Sequence, residues 1–164
     1  MGVYYLKLTA ALEGVTNLRP LDSPEDPFEY TFEIECTACR EVHPKPVTIN
    51  CFESHDLNDS KGDASFEFKC RNCTKTHSAT ISRTKFSYTA EDAEAKKAVA
   101  ILHLDTRGME FKRFIPEGHF ECVGAGSGTS FNDVDLEEGE WYDYDDKAGA
   151  EVSIVDAQWE ITRS

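Results

Sequence analysis

At 164 residues the chain has the length of a single domain, and 40% hydrophobic residues with 10 Phe, 6 Tyr and 2 Trp suffice for a packed core, which excludes a disordered chain. Its 31 acidic against 17 basic residues give a formal charge of −14; such a surface repels phosphate, so nucleic acids and anionic membranes are excluded as partners and a neutral or basic protein is expected. No stretch approaches the roughly 18 apolar residues of a membrane-spanning helix.

Taken in order, "VYYLKLTAAL" alternates in polarity and reads as a first strand, not as a signal peptide, which needs a basic start and a small-residue cleavage site. "EGVTNLRPLDSPEDPFEY" holds three prolines and reads as a loop. In "YTFEIEC", Phe32 and Ile34 alternate with Glu33 and Glu35, the period of a half-buried strand. "KPVTINCFES" is a further strand, "HDLNDSKGD" a polar turn, "ASFEFKC" a second copy of the alternation, and "HSATISRT" the strand that leaves it. In "YTAEDAEAKK", Thr89 as an N-cap with Asp92 three residues on predicts a short helical turn. "AVAILHLDT", "RGMEFKRFIP" and "GHFECVG" read as strands, "GAGSGTSF" as a loop, and "EVSIVDAQWEI" as a long closing strand. Helical periodicity over more than two turns is absent, so the predicted class is all-β. One domain over residues 1–164 is expected, with a finer division into lobes near residue 85.

The chain repeats itself. Phe32, Glu33, Cys36, Cys39 and His43 are matched 34 residues later by Phe66, Glu67, Cys70, Cys73 and His77. Four thiolates are what a closed structural Zn²⁺ site takes, in tetrahedral geometry with Zn–S near 2.3 Å. Each C-x-x-C turn at a strand end supplies two sulfurs, so two hairpins related by a local pseudo-twofold complete one site. Cys36, Cys39, Cys70 and Cys73 are the predicted ligands. Arg40 and Thr74 stand where many zinc knuckles have glycine, which puts the backbone N–H to sulfur geometry in question. His43 and His77 are surplus to a saturated ion and read as donors toward sulfur. The alternative is a thiol redox couple, which usually needs the first Cys at a helix N-terminus; "REVHPKP" and the β-branched "TKTHSATISRT" do not open helices. Cys51 and Cys122 read as small buried hydrophobes, and His55, His103 and His119 as ordinary surface or strand residues. Paired thiols without a secretion signal point to a reducing compartment, the cytoplasm or nucleus.

Other motifs fall short. Gly124, Gly126 and Gly128 lack the Lys and following helix of a phosphate loop, and Asp133, Asp135 and Glu137 lack the glycine and terminal Glu of a calcium loop. In "EWYDYDDK", Trp141 and Tyr144 are expected to pack on the sheet, with the acids facing water or pairing with Arg19 and Arg107. A Cys₄ ion has no open position for water, so no catalytic residue is expected.

"LTAALEGVTNLRP", the two C-x-x-C motifs, "YTAEDAEAKKAVAILHLDTRGMEF" and "GTSFNDVDLEEGEWYDYDDKAGAEVSI" together resemble the eukaryotic CXXC-motif-containing zinc-binding protein family over about residues 1–162. The resemblance implies an all-β, sandwich-like fold with two β-rich halves in pseudo-twofold arrangement. It also implies one zinc ion on Cys36, Cys39, Cys70 and Cys73, and a monomeric intracellular protein without established catalysis. The function expected is a non-catalytic binding or adaptor module with a protein partner; the alternative is metal trafficking or thiol–disulfide redox work through the C-x-x-C pairs.

Overall fold

A computed structural model of the chain describes residues 2–51, 55–56, 63–64 and 66–163. Strand β1 (Gly2–Glu13) alternates as expected and buries Leu6, Leu8 and Ala10. Gly14, at φ 74°, turns the chain into β2 (Val15–Pro20), where the sequence suggested a loop. The strand hides from a period-two search because Asn17 sits at φ 58° and breaks the alternation, leaving Val15 and Leu18 buried three residues apart. Pro20 is tolerated at the end of this edge strand, where its missing N–H breaks no ladder.

Then follow β3 (Tyr30–Cys36), β4 (Val47–Ile49), β5 (His55–Asp56), β6 (Asp63–Ala64), β7 (Phe66–Lys69) and β8 (Thr76–Arg83). The middle of the expected polar turn, residues 57–62, and the end of the preceding strand, residues 52–54, lie outside the described residues. The expected helical turn is α1 (Ala90–Glu94). Thr89 Oγ1 accepts from the Asp92 N–H and Asp92 Oδ2 accepts from the Thr89 N–H, both at 3.1 Å, a reciprocal cap. The chain closes with β9 (Val99–Arg107), β10 (Met109–Ile115), β11 (His119–Gly124), β12 (Ser130–Asp135), β13 (Trp141–Asp145) and β14 (Ala150–Arg163).

The protein is all-β. A six-stranded antiparallel sheet runs β13-β14-β1-β9-β8-β7, beside two three-stranded sheets, β10-β3-β4 and β12-β11-β2, and the short pair β5-β6. Inward faces from all three larger sheets share one hydrophobic core, including Leu8, Phe32, Leu104, Phe120 and Ile154. Trp159 of β14 joins them: its ring stands 4.7 Å from Phe114 of β10 and 5.5 Å from Phe120 of β11. In β9 both Ile101 and Leu102 are buried because the register with β1 skips Ile101, pairing Leu6 with Leu102 and Lys7 with Ala100.

Asp22 anchors the segment between β2 and β3. Its carboxylate accepts from the Tyr30 hydroxyl and the Phe28 N–H, each at 2.9 Å, while Arg83 of β8 donates to its carbonyl at 2.9 Å. One residue, Gly108 at φ 79°, separates β9 in the large sheet from β10 in the second sheet. That crossing sets the position of the cysteines.

Candidate metal centre

Cys36 is the last residue of β3, and the chain folds back at once. Its N–H donates to the Glu41 carbonyl at 2.9 Å and its carbonyl accepts from the Arg40 N–H at 2.8 Å. Cys70, following β7, does the same: its N–H donates to Lys75 O at 2.9 Å, and Thr74 N–H donates to Cys70 O at 2.9 Å. Arg40 and Thr74 both take left-handed backbone, at φ 62° and 64°. The missing glycines therefore do not prevent the turn; each residue bears a strain of roughly 1–2 kcal/mol that the surrounding hydrogen bonds offset. The N–H to sulfur geometry that Arg40 and Thr74 put in question is kept to the extent that the Glu41 and Lys75 N–H groups favour the thiolate form of Cys39 and Cys73.

The repeat is thus reproduced bond for bond at the two turns, while their surroundings differ. After the first turn the chain makes a bridge from Val42 to Glu35 and a bond from His43 N–H to Ile34 O, 2.9 Å, and pairs with β3 again only farther on, as the three-residue β4. After the second it enters the full hairpin β7–β8. The hairpins belong to different sheets, and the Gly108 crossing lies between them, tied by Thr37 N–H to Gly108 O at 3.0 Å.

All four sulfurs lie within 4.8 Å of one another, with Cys36 Sγ 3.6 Å from Cys73 Sγ and Cys39 Sγ 3.8 Å from Cys70 Sγ. A tetrahedron with Zn–S bonds of about 2.3 Å has edges of about 3.8 Å, so the cross-motif spacings suit a metal. They are far beyond the S–S bond length of about 2.05 Å, and all six cysteines are free thiols. The donor set therefore fits a soft, tetrahedral ion, which these residues would hold and which would crosslink two sheets. Cys36 and Cys70 are buried, while Cys39 and Cys73 are half-buried. Hydrogen bonds from the Asn72 side chain and then from the Glu41 N–H hold the Cys39 thiol down to about 7. At Cys73 the Lys75 N–H favours the thiolate, but desolvation and the three neighbouring thiols outweigh it and push the thiol up to about 11.

The two repeated histidines part company. His77 is buried on β8 and its Nε2 lies 2.9 Å from Cys36 Sγ, across the site. Desolvation, the leading cause, holds its pKa below the ordinary value, and a thiolate at Cys36 would accept from an Nε2–H. His43 instead sets Nδ1 2.6 Å from the Lys45 carbonyl. Neither belongs to the metal-competent cluster. The ring of His77 has space because residue 108 is glycine: a Cβ there would collide with its Nδ1 and stand 3.1 Å from Cε1. Asn72 and Gly108 escaped the sequence reading; the one available signal was the glycine directly after a buried strand.

Cys122 is buried as expected, and Cys51 is half-buried; burial, the leading cause for both, pushes each thiol up to about 12. His119 pairs with Asp133 at 3.3 Å, and His103 meets Tyr5 edge-on at 5.2 Å. The acidic–aromatic segment differs from expectation in part. Trp141 packs on Phe131, ring to ring at 5.3 Å, but Tyr144 is 50% exposed. Strand alternation explains this: Tyr142 and Tyr144 pair with Ser153 and Glu151 on the outer face, leaving Trp141, Asp143 and Asp145 on the other. Arg19 pairs with Glu121 at 3.5 Å, away from this segment. Asp145 is buried and bonded by the glycine-rich loop, accepting from Ser127 Oγ and, at 2.7 Å, from Thr129 Oγ1.

A model of the family described as CXXC motif containing zinc binding protein, eukaryotic, matches residues 5–162. The chain is 42% identical to UPF0587 protein C2D10.03c of Schizosaccharomyces pombe over all of both chains. It is 38% identical to the CXXC motif containing zinc binding protein of Bos taurus over 99% of each. Among solved structures, the one titled Crystal Structure of C1orf123 is similar with a TM-score of 0.89 and 34% identity, over 99% of this chain and 100% of that one. The chain belongs to the eukaryotic CXXC motif containing zinc binding protein family.

Proposed function

We propose that the protein is a non-catalytic binding or adaptor module of the cytoplasm or nucleus, built around one structural zinc ion on Cys36, Cys39, Cys70 and Cys73. The observation that carries this reading is the preassembled set of four sulfurs at tetrahedral spacing, at the meeting of two sheets. Four thiolates fill the coordination of zinc and leave no position for substrate or water, which supports a structural role. Such a site contributes to folding about 10–16 kcal/mol of apparent binding free energy at neutral pH. The free state of all six cysteines supports a reducing compartment. For the adaptor role, the edge strand β13 offers Tyr142 and Tyr144, 65% and 50% exposed, among acids that favour a basic partner. Cys70→Ser tests the reading: loss of zinc together with cooperative folding is expected, and full retention of both overturns it.

The half-burial of Cys39 and Cys73 favours a second reading, in which the ion exchanges and the protein handles metal or thiols. Transfer of zinc to a chromophoric chelator within minutes at neutral pH supports that reading; retention over hours supports the structural one.

A further inference from the structure

Strand β13 ends the six-stranded sheet: it pairs with β14 over Trp141–Asp145, and among the described residues no strand pairs with its other edge. The Tyr144 N–H donates to Asp143 Oδ1 at 2.7 Å, so it turns away from β14 toward that free edge. Antiparallel pairing alternates, so Tyr142 turns its N–H and C=O the same way. Both tyrosine side chains are exposed on the outer face of the sheet, where they line a groove of about 510 Å³. The groove runs on over Glu151 and Ser153 of β14 to Glu13 of β1. Its charge is of one sign. Among the described residues no Lys or Arg lines it, and Glu13, Asp143 and Glu151 take part in no ion pair.

A free sheet edge offers backbone hydrogen bonds to an extended chain, and exposed tyrosines offer their ring faces to a cation. We propose that the edge of β13 takes an extended, arginine-rich segment of another protein, added as a further strand with alternate arginines laid over Tyr142 and Tyr144. Neighbouring strands lie about 4.8 Å apart, so an arginine of the added strand reaches across β13 and carries its guanidinium toward Glu151. A second copy of this chain is a poor occupant, because it would bring the same acids and a further formal charge of −14 against the groove. Asp143 sharpens that choice. Its carboxylate covers the Tyr144 N–H, which blunts pairing with an acidic or neutral strand, and a partner's cation draws it aside. The inference rests on the adaptor reading and adds the surface and the chemistry of the partner.

The test is fluorescence anisotropy of the full-length zinc-containing protein with a labelled Arg-Thr-Arg-Thr-Arg-Thr-Arg peptide. The control is Arg-Arg-Arg-Arg-Thr-Thr-Thr, which has the same composition and charge but cannot set every arginine on one face of a strand. The alternating peptide should bind about tenfold tighter than the control. Tyr144→Ala, which removes a ring and keeps the backbone donor, should weaken it about tenfold. Tyr144→Pro also removes the outward N–H while breaking no bond to β14, and should weaken it further. Both variants should keep the parent's zinc content and cooperative melting. Equal binding of the two peptides, or no binding of either, overturns the β13 site. So does binding that Tyr144→Ala leaves unchanged, or that Tyr144→Pro weakens no more than Tyr144→Ala. The structural-zinc module itself is tested apart from this, by Cys70→Ser, so the two failures are told apart.

Discussion

His77 Nε2 lies 2.9 Å from Cys36 Sγ, and Nδ1 of the same ring stands where a Cβ of residue 108 would collide with it. One side chain thus links the crossing between two sheets to the sulfur at the end of β3. The position of the imidazole depends on the absence of a Cβ at residue 108, where the backbone also has φ 79°.

Gly108→Ala should therefore be costly twice over, through left-handed strain and through displacement of a buried ring. A loss of about 1–3 kcal/mol is expected in urea unfolding. Since the displaced ring is His77, Cys36 should also become more readily alkylated than in the parent protein.

Acid should release the metal. Ligating thiols must be deprotonated, so falling pH sets protons against the ion for the same sulfurs. Cys73, pushed up to about 11, takes up a proton readily once the ion leaves, and Cys39, held to about 7, takes one only nearer neutrality and below. Zinc retained after dialysis should fall monotonically as pH is lowered from 8, together with thermal stability.

Asp145 should give a second, separate pH dependence. Hydrogen bonds from Ser127 above all, and then from Thr129 and two backbone N–H groups, hold its carboxyl below the ordinary value of about 4. A depressed carboxyl contributes stability that is fully present above its unfolded pKa and lost as pH falls through the folded one. Asp145→Asn should lower the melting temperature at pH 7 and flatten its decline in acid. Melting curves of both proteins between pH 3 and 7 provide the check.

Tyr30→Phe should separate packing from hydrogen bonding at the Asp22 anchor. The ring remains buried, but the carboxylate loses the 2.9 Å hydroxyl donor. A destabilisation of about 1–3 kcal/mol is expected in denaturant unfolding, set by the desolvated acceptor left behind. Phe32→Ala, which empties a fully buried core position, should cost about 3–5 kcal/mol by the same measurement.

The fold class and the four sulfurs were legible in the sequence because their signals are local. Alternation in β1, β3 and β14 has a period of two, and C-x-x-C at a strand end has one geometric outcome when repeated. What stayed hidden depends on neighbours distant in sequence. Asn17 interrupts the pattern of β2 with a left-handed residue, so only pairing with β11 reveals the strand. His43 and His77 occupy equivalent places in the repeat, and only the crossing at Gly108 decides which of them meets a sulfur. Tyr144 was expected on the sheet because aromatic residues usually bury; its outward face follows from the register between β13 and β14.

The central claim is a closed zinc site of four thiolates. Its most direct test is elemental analysis of protein purified without added metal, paired with titration of native thiols on the minute timescale. The expected result is one zinc per chain, with Cys36, Cys39, Cys70 and Cys73 all protected until the protein is unfolded. Substoichiometric zinc in a folded chain whose four C-x-x-C thiols react freely would contradict it.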